Sequence, residues 1–221
     1  MRNLVAVLLL IFASGLPGAA QAADFPETPY SPPEVDYGLD GGWYIRASKD
    51  INYLWAGDIV DCACGDTTAE GWGYSLGAGI GYEFGNGFRV DKTVDYFANF
   101  GATVPGGTAY ELRTTLILAN AYIDFGLGDD YDASGGWMAY VGAGAGAAYY
   151  TLQVVGSVDN SAWTLAAAAM AGVGYDMGSD VIDLGYRLVY LNQLMTGDVI
   201  PGVASGVLNH EIRVTWRHRL Y

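Results

Sequence analysis

From Trp72 to Phe84 every second residue is apolar: Trp72, Tyr74, Leu76, Ala78, Ile80, Tyr82 and Phe84. Between them stand Gly73, Ser75, Gly77, Gly79, Gly81 and Glu83. A period of two sustained this long is a strand signal, because successive side chains point to opposite faces of a sheet. The run is about twice the length of an ordinary strand. Its aromatics sit at the ends with aliphatics between, the profile of a strand crossing a bilayer in a closed barrel.

The start of the chain sets the compartment. Arg2, the apolar run Leu4 to Phe12, the breakers Gly15 and Pro17, and Ala20-Gln21-Ala22 together read as an export signal over residues 1–22. The apolar run is too short to span a membrane as a helix, and no later stretch reaches the roughly 18 apolar residues a helix needs. The remainder carries nine basic against 24 acidic side chains, which argues against nucleic acid as a partner. Yet 52% of the 221 residues are hydrophobic. An exported apolar chain without a spanning helix suits an outer-membrane barrel; a secreted β-sandwich is the soluble competitor.

Residues 23–40 are acidic and rich in proline and read as a periplasmic lead-in. The barrel domain is assigned to 41–221. Eight strand-like segments follow one another: 42–53, 72–84, 88–97, 110–125, 137–150, 163–177, 181–191 and 207–221. Connections 85–87 and 178–180 are tight; 56–71, 98–109, 151–162 and 192–206 are long. Short turns facing the periplasm and long loops facing outward fit an all-β, eight-stranded, antiparallel up-and-down barrel. The middle connection, 126–136, is longer than that rule expects. The fourth segment is ambiguous in its parity, since Leu112, Leu116 and Leu118 share a face with Asn120 and Asp124. A bulge or a change of environment near Ala119 is the expectation.

The charges divide by the same parity. Outside the export signal, every arginine falls within a strand: Arg46, Arg89, Arg113, Arg187, Arg213, Arg217 and Arg219. The acids Asp50, Glu83, Asp91, Asp95, Glu111, Asp183 and Glu211 share their side. A Lys or Arg on the lipid face near mid-bilayer costs about 2–4 kcal/mol, so these groups are expected to point inward. Eight strands enclose a space that side chains just fill. The expected result is an ion-paired plug, with a narrow selectivity filter as the alternative. Lys92 breaks the pattern by sharing parity with Val90 and Val94, and is expected to snorkel. Trp43, Trp72, Tyr82, Trp137, Tyr149, Trp163, Tyr175 and Trp216 are the expected interface aromatics.

Little points to catalysis, a metal or a cofactor. His210 and Glu211 are adjacent, so a strand turns them to opposite faces. A lipid-facing pair of Ser205 and His210 is the one enzymatic alternative. Cys62 and Cys64 sit in an acidic segment, either as free thiols or as a local disulfide formed in an oxidising compartment. The acids Asp58, Asp61, Asp66, Glu70, Asp159 and Asp198 form an expected acidic rim on the loops.

Several segments resemble the porin-family outer-membrane barrels of α-proteobacteria, the group of 25- and 31-kDa surface antigens. They are Gly42-Trp43-Tyr44-Ile45-Arg46, Gly77-Ala78-Gly79-Ile80-Gly81-Tyr82, Phe88-Arg89-Val90-Asp91, Ala119-Asn120-Ala121-Tyr122-Ile123-Asp124-Phe125, Tyr140-Val141-Gly142-Ala143-Gly144, Ala171-Gly172-Val173-Gly174-Tyr175-Asp176 and Leu184-Gly185-Tyr186-Arg187. Their order spans nearly the whole exported chain. The resemblance implies residence in the bacterial outer membrane among lipid and lipopolysaccharide. It implies delivery by periplasmic chaperones and the barrel assembly machinery, and a structural or surface-antigen role without catalytic residues. A small-solute channel and a loop-based adhesin or binding module are the alternatives, and the oligomeric state stays open. One departure is that Leu220, not the terminal Tyr221, holds the lipid-facing parity expected of a closing aromatic.

Overall fold

A computed structural model describes residues 41–61, 65–103, 109–128, 135–154, 159–195 and 203–220. The export signal, the lead-in, Cys62, Cys64, Asp198 and Tyr221 lie outside them. Eight strands form one closed barrel in chain order. They are β1 (Gly42–Asp61), β2 (Gly65–Glu83), β3 (Phe88–Thr103), β4 (Ala109–Gly126), β5 (Gly136–Val154), β6 (Asn160–Asp176), β7 (Asp180–Met195) and β8 (Val203–Leu220). All neighbours are antiparallel, and β1 pairs with β8 to close the wall.

The register fixes the barrel's geometry. From Trp43 the facing residues are Tyr82, Val90, Ala121, Ala143, Ala169, Leu188 and His210, and the last faces Tyr53. One circuit thus returns to β1 ten residues higher. A stagger of that size on eight strands requires them to tilt by about 40°, so each residue climbs about 2.4 Å along the barrel axis.

The strands run further than alternation alone suggests. β1 and β2 stay paired out to Asp61↔Gly65, so Asp58, Asp61, Asp66 and Glu70 belong to strands, not to a long loop. The four connections at that end are short, while the inner connection between Gly126 and Gly136 is the longest at its own end. The register shifts between Ala56 and Ile59, Glu70 and Trp72, and Asn99 and Ala102 all fall in the outer third. Bulges there add twist where the wall leaves the lipid.

No bulge occurs near Ala119, which faces Lys92 and Ala145 in unbroken ladders. The parity conflict in β4 comes instead from the expected alternative, a change of environment. Leu112, Leu116 and Leu118 do point inward, with Asn120 and Tyr122. They join Leu54, Phe97, Tyr150, Leu152, Val189, Leu191, Leu194 and Val207 in a cluster that fills the outer half of the lumen. The lumen is therefore layered, polar toward the end where β1 starts and β8 finishes and apolar toward the other.

Glycines on the inner face make room for this filling. A Cβ at Gly77 would strike the Asp95 carboxylate and the Ser48 hydroxyl, one at Gly81 the Tyr44 ring, and one at Gly142 the Tyr122 ring. Gly77→Val is therefore expected to lower stability by about 1–3 kcal/mol. The outward-facing Ala78→Val should stay within about 0.5 kcal/mol. Urea unfolding followed by heat-modifiable gel migration checks both.

Candidate functional site: the lumen network

The inner half of the lumen is held by guanidinium–carboxylate pairs that join strands across the barrel. Three clusters share members. At the inner rim, Arg219 of β8 donates to both Asp176 oxygens at 2.8 and 2.7 Å and to Glu83 at 2.6 Å. Arg217 reaches the same Glu83 and donates to Asp183 at 2.9 Å. Arg89 Nε donates to both Asp124 oxygens at 3.0 and 2.8 Å, and its guanidinium lies 3.7 Å from the centre of the Tyr122 ring.

One layer up, Asp91 is the hub. It accepts from Arg46 at 2.7 Å, from Asn120 at 2.7 Å and from the Tyr44 hydroxyl at 2.9 Å. Arg46 also donates to the Tyr122 hydroxyl at 2.8 Å. At the top of the polar half, Asp95 accepts from Arg213 at 2.6 Å and from both ends of the Arg187 fork at 3.1 Å. Arg213 in turn forks onto Asp50, and Arg187 donates to Glu211. Arg89, Arg187 and Arg217 are fully buried.

This arrangement follows from the strands. Arginines of β1, β3, β7 and β8 lie on the inward parity of their strands, so each stem enters the lumen and reaches an acid on another strand, the adjacent β4 for Arg89 and a more distant strand for the others. Forked guanidinium–carboxylate pairs are the strong, geometrically specific kind, and a closed wall keeps water from competing. Because the groups are buried, removing one partner costs more than the pair itself contributes.

The network gathers Arg46, Glu83, Arg89, Asp91, Asp95, Asp183, Arg187, Glu211, Arg213, Arg217 and Arg219 inside the barrel. Glu111 and Arg113 are the exceptions, and the inward expectation for them is corrected. They pair with each other at 3.2 Å on the outer surface, where the Arg113 side chain is 53% exposed. The reason is the layering, since the inward parity of β4 belongs to its leucines and at this height the lumen is apolar. Asp124, Asp176, Tyr44, Asn120 and Tyr122 join the network without having been singled out. Parity carried the signal for Tyr44, while the leucines of β4 obscured it for Asn120, Tyr122 and Asp124.

The outer surface completes the picture. Trp43, Tyr82, Trp137, Tyr175 and Trp216 face outward near the end where β1 starts and β8 finishes, and Trp72, Tyr149 and Trp163 face outward toward the other. Trp72 and Tyr82 lie ten residues apart on β2, about 24 Å along the axis, which matches an apolar band about 25 Å tall. Between the girdles stand Ile45, Ile51, Leu76, Ile80, Val141, Val173, Leu184, Ile212 and Val214. Leu220 also faces outward.

At the inner end of β7, Asp180 accepts hydrogen bonds from Trp216 Nε1 and from His218 Nδ1, each at 2.9 Å. His210 faces outward while Glu211 faces inward, and its Nδ1 meets the Tyr186 hydroxyl. The Ser205 side chain lies outside the described ones.

Comparison with known proteins places this geometry. The crystal structure of Neisserial surface protein A aligns with a TM-score of 0.53 and 22% identity, covering 82% of this chain and all of that one. The chain has the fold of eight-stranded outer-membrane barrels. Outer membrane protein OprG from Pseudomonas aeruginosa aligns with a TM-score of 0.50 and 14% identity over 83% of this chain and 99% of that one. Uncharacterized proteins of Brucella abortus (strain 2308) and Brucella suis biovar 1 (strain 1330) are each 29% identical over 227 positions, covering 79% of this chain and 76% of theirs. No protein-family model matches.

The placement of the charges gives a contrast to test. Asp95→Asn leaves Arg187 and Arg213 short of a buried counter-charge and is expected to cost about 3–5 kcal/mol. Arg113→Ala breaks an exposed pair and should cost at most about 1 kcal/mol. Urea unfolding in detergent micelles checks both.

Proposed function

We propose that this protein is an integral outer-membrane barrel whose filled lumen makes it a structural element and surface antigen of the cell envelope. The observation that carries this reading is that side chains meet across the barrel at the inner rim, in the ionic layers and in the apolar layer above them. Arg217 of β8 contacts Glu83 of β2 and the Met138 sulfur of β5. Arg46 of β1 reaches Tyr122 of β4, which donates to the Met170 sulfur of β6. Arg187 of β7 reaches Asp95 of β3. Above them, Phe97, Leu116, Leu118, Val189 and Leu191 are fully buried against one another.

The resemblance to the α-proteobacterial surface antigens supports the same role, and so does the fold shared with Neisserial surface protein A. On this reading residues 1–22 direct export and are removed. Chaperones and the assembly machinery insert the barrel with the end where β1 starts and β8 finishes toward the periplasm. The outer wall faces lipid and, beyond the outer girdle, lipopolysaccharide. No catalytic group is assigned.

A second reading, a narrow channel, has specific support. The described lumen pairs six arginines with eight carboxylates, a small anionic excess. Asn52 Nδ2, Asn99 Oδ1 and Asn209 Oδ1 are buried without a hydrogen-bond partner among the described residues. Planar-bilayer recording separates the two. The filled lumen predicts no reproducible conductance steps in the native protein and new or leaky steps in Arg213→Ala. Steps in the native protein that Arg213→Ala or Arg217→Ala alters would establish the channel instead.

A further inference from the structure

Two lysines point out of the barrel wall, only about 4 Å apart in depth. Lys92 follows Val90 by two residues on β3, and Val90 faces Tyr82 of the inner girdle. Its flexible stem carries the ammonium toward that girdle. Lys49 lies midway between Trp43 and Trp55 on β1 and is flanked by Leu76 and Val214. Each of those tryptophans is about 14 Å away along the axis, and Trp216 of the inner girdle, two residues beyond Val214 on β8, is about 8 Å away, so the stem alone does not bring the ammonium to a boundary. Its outward neighbours on β1, Ala47 and Ile51, are apolar. The outward acids among the described residues, Glu70, Glu111, Asp159 and Asp180, lie at the rims. A cation at this depth calls for a partner.

On the same side of the wall lies a polar pair. The Tyr186 hydroxyl is 2.5 Å from His210 Nδ1. When that nitrogen accepts the hydroxyl proton, both lone pairs of Tyr186 Oη remain for an outside donor. Tyr186 faces Ile212, and Ile212 faces Ile51. Each step from β1 back through β8 to β7 descends by about one and a quarter residues, because the circuit climbs ten over eight strands. Tyr186 therefore sits about two and a half residues below Ile51, level with Lys49. Between Lys49 and Tyr186 stand Ile51, Ile212 and Val214, which are 63%, 65% and 51% exposed.

We propose that this β7–β8–β1 face is the contact surface of a homodimer, in which Lys49 of each copy meets the partner's Tyr186. A twofold axis along the membrane normal keeps depth, so each residue meets partner residues at its own height. An axis through the Ile51–Ile212–Val214 patch exchanges its Lys49 edge with its Tyr186 edge. The ammonium then donates to the Tyr186 hydroxyl and lies against its ring, and the contact forms twice. In lipid, association depends on such polar contacts and close packing, because the surrounding tails are as apolar as the aliphatic patch itself. Lys49, awkward for a lone barrel, becomes the donor that specifies the pairing.

Cysteine cross-linking in phospholipid vesicles tests this on the full chain with Cys62 and Cys64 replaced by Ser. Ile212→Cys should form a disulfide-linked dimer, while Ala145→Cys, on the opposite wall, should stay monomeric. Equal cross-linking at both positions, or none at position 212, overturns the proposal. Heat-modifiable migration establishes that each variant has folded. Fluorescence energy transfer between labelled copies then reads the dimer. Lys49→Met and Tyr186→Phe should each weaken it about three- to tenfold, and the double variant should fall no further than the weaker single. Unchanged transfer in Lys49→Met would mean that lipid alone accommodates the lysine and would equally overturn it. None of these readouts depends on whether the lumen conducts.

Discussion

The structure rests on burying six arginines inside a closed barrel. A guanidinium taken from water must find fixed partners, and here each finds a carboxylate on another strand. Arg187 and Arg213 share Asp95, and Arg217 and Arg219 share Glu83. That sharing ties β2, β3, β7 and β8 to one another across the lumen, independently of the ladders that join neighbours. It also accounts for the glycines facing inward, since a side chain at Gly77 or Gly174 would occupy the place of an acid.

The layering follows from the same requirement. Pairs of this kind leave polar valences that must all be met, so a lumen filled by them throughout would have to satisfy every one. The chain instead changes chemistry partway up. Beyond Asp50, Asp95 and Glu211 the interior is closed by Leu112, Leu116, Phe97, Val189 and Leu191. The polar half fixes register and strand partners by directed bonds, and the outer half fills volume chiefly with apolar side chains, around one Asn99–Asn52 amide bond. The wall outside shows the converse arrangement, with aliphatics at mid-depth and aromatics at the two boundaries.

Much of this was legible in the sequence because a strand's period is two and does not drift. The alternation in Trp72–Phe84 and in the last two strands placed lipid-facing and inward residues directly, and the eight-stranded barrel followed from repetition. Two features escaped. The reach of β1 to Asp61 and of β2 from Gly65 was hidden because alternation fades once one face no longer meets lipid. Glu111 and Arg113 were misassigned because charge was equated with the interior. At their height the interior is apolar, and the outside, beyond the hydrocarbon, is where a charge is least costly. The depth of Lys49 could not be seen in any single strand, since it depends on a stagger that only the paired barrel defines.

The central claim is that the folded lumen excludes water along both layers. Thiol accessibility measures this most directly, with Cys62 and Cys64 replaced by Ser. Thr215→Cys places a thiol in the ionic layer and Ala148→Cys one in the apolar layer, both at fully buried inward positions. In vesicles, a small water-soluble methanethiosulfonate should leave both thiols unreacted until urea unfolds the barrel. Rapid labelling of both in the folded protein would show a continuous aqueous path and contradict the account.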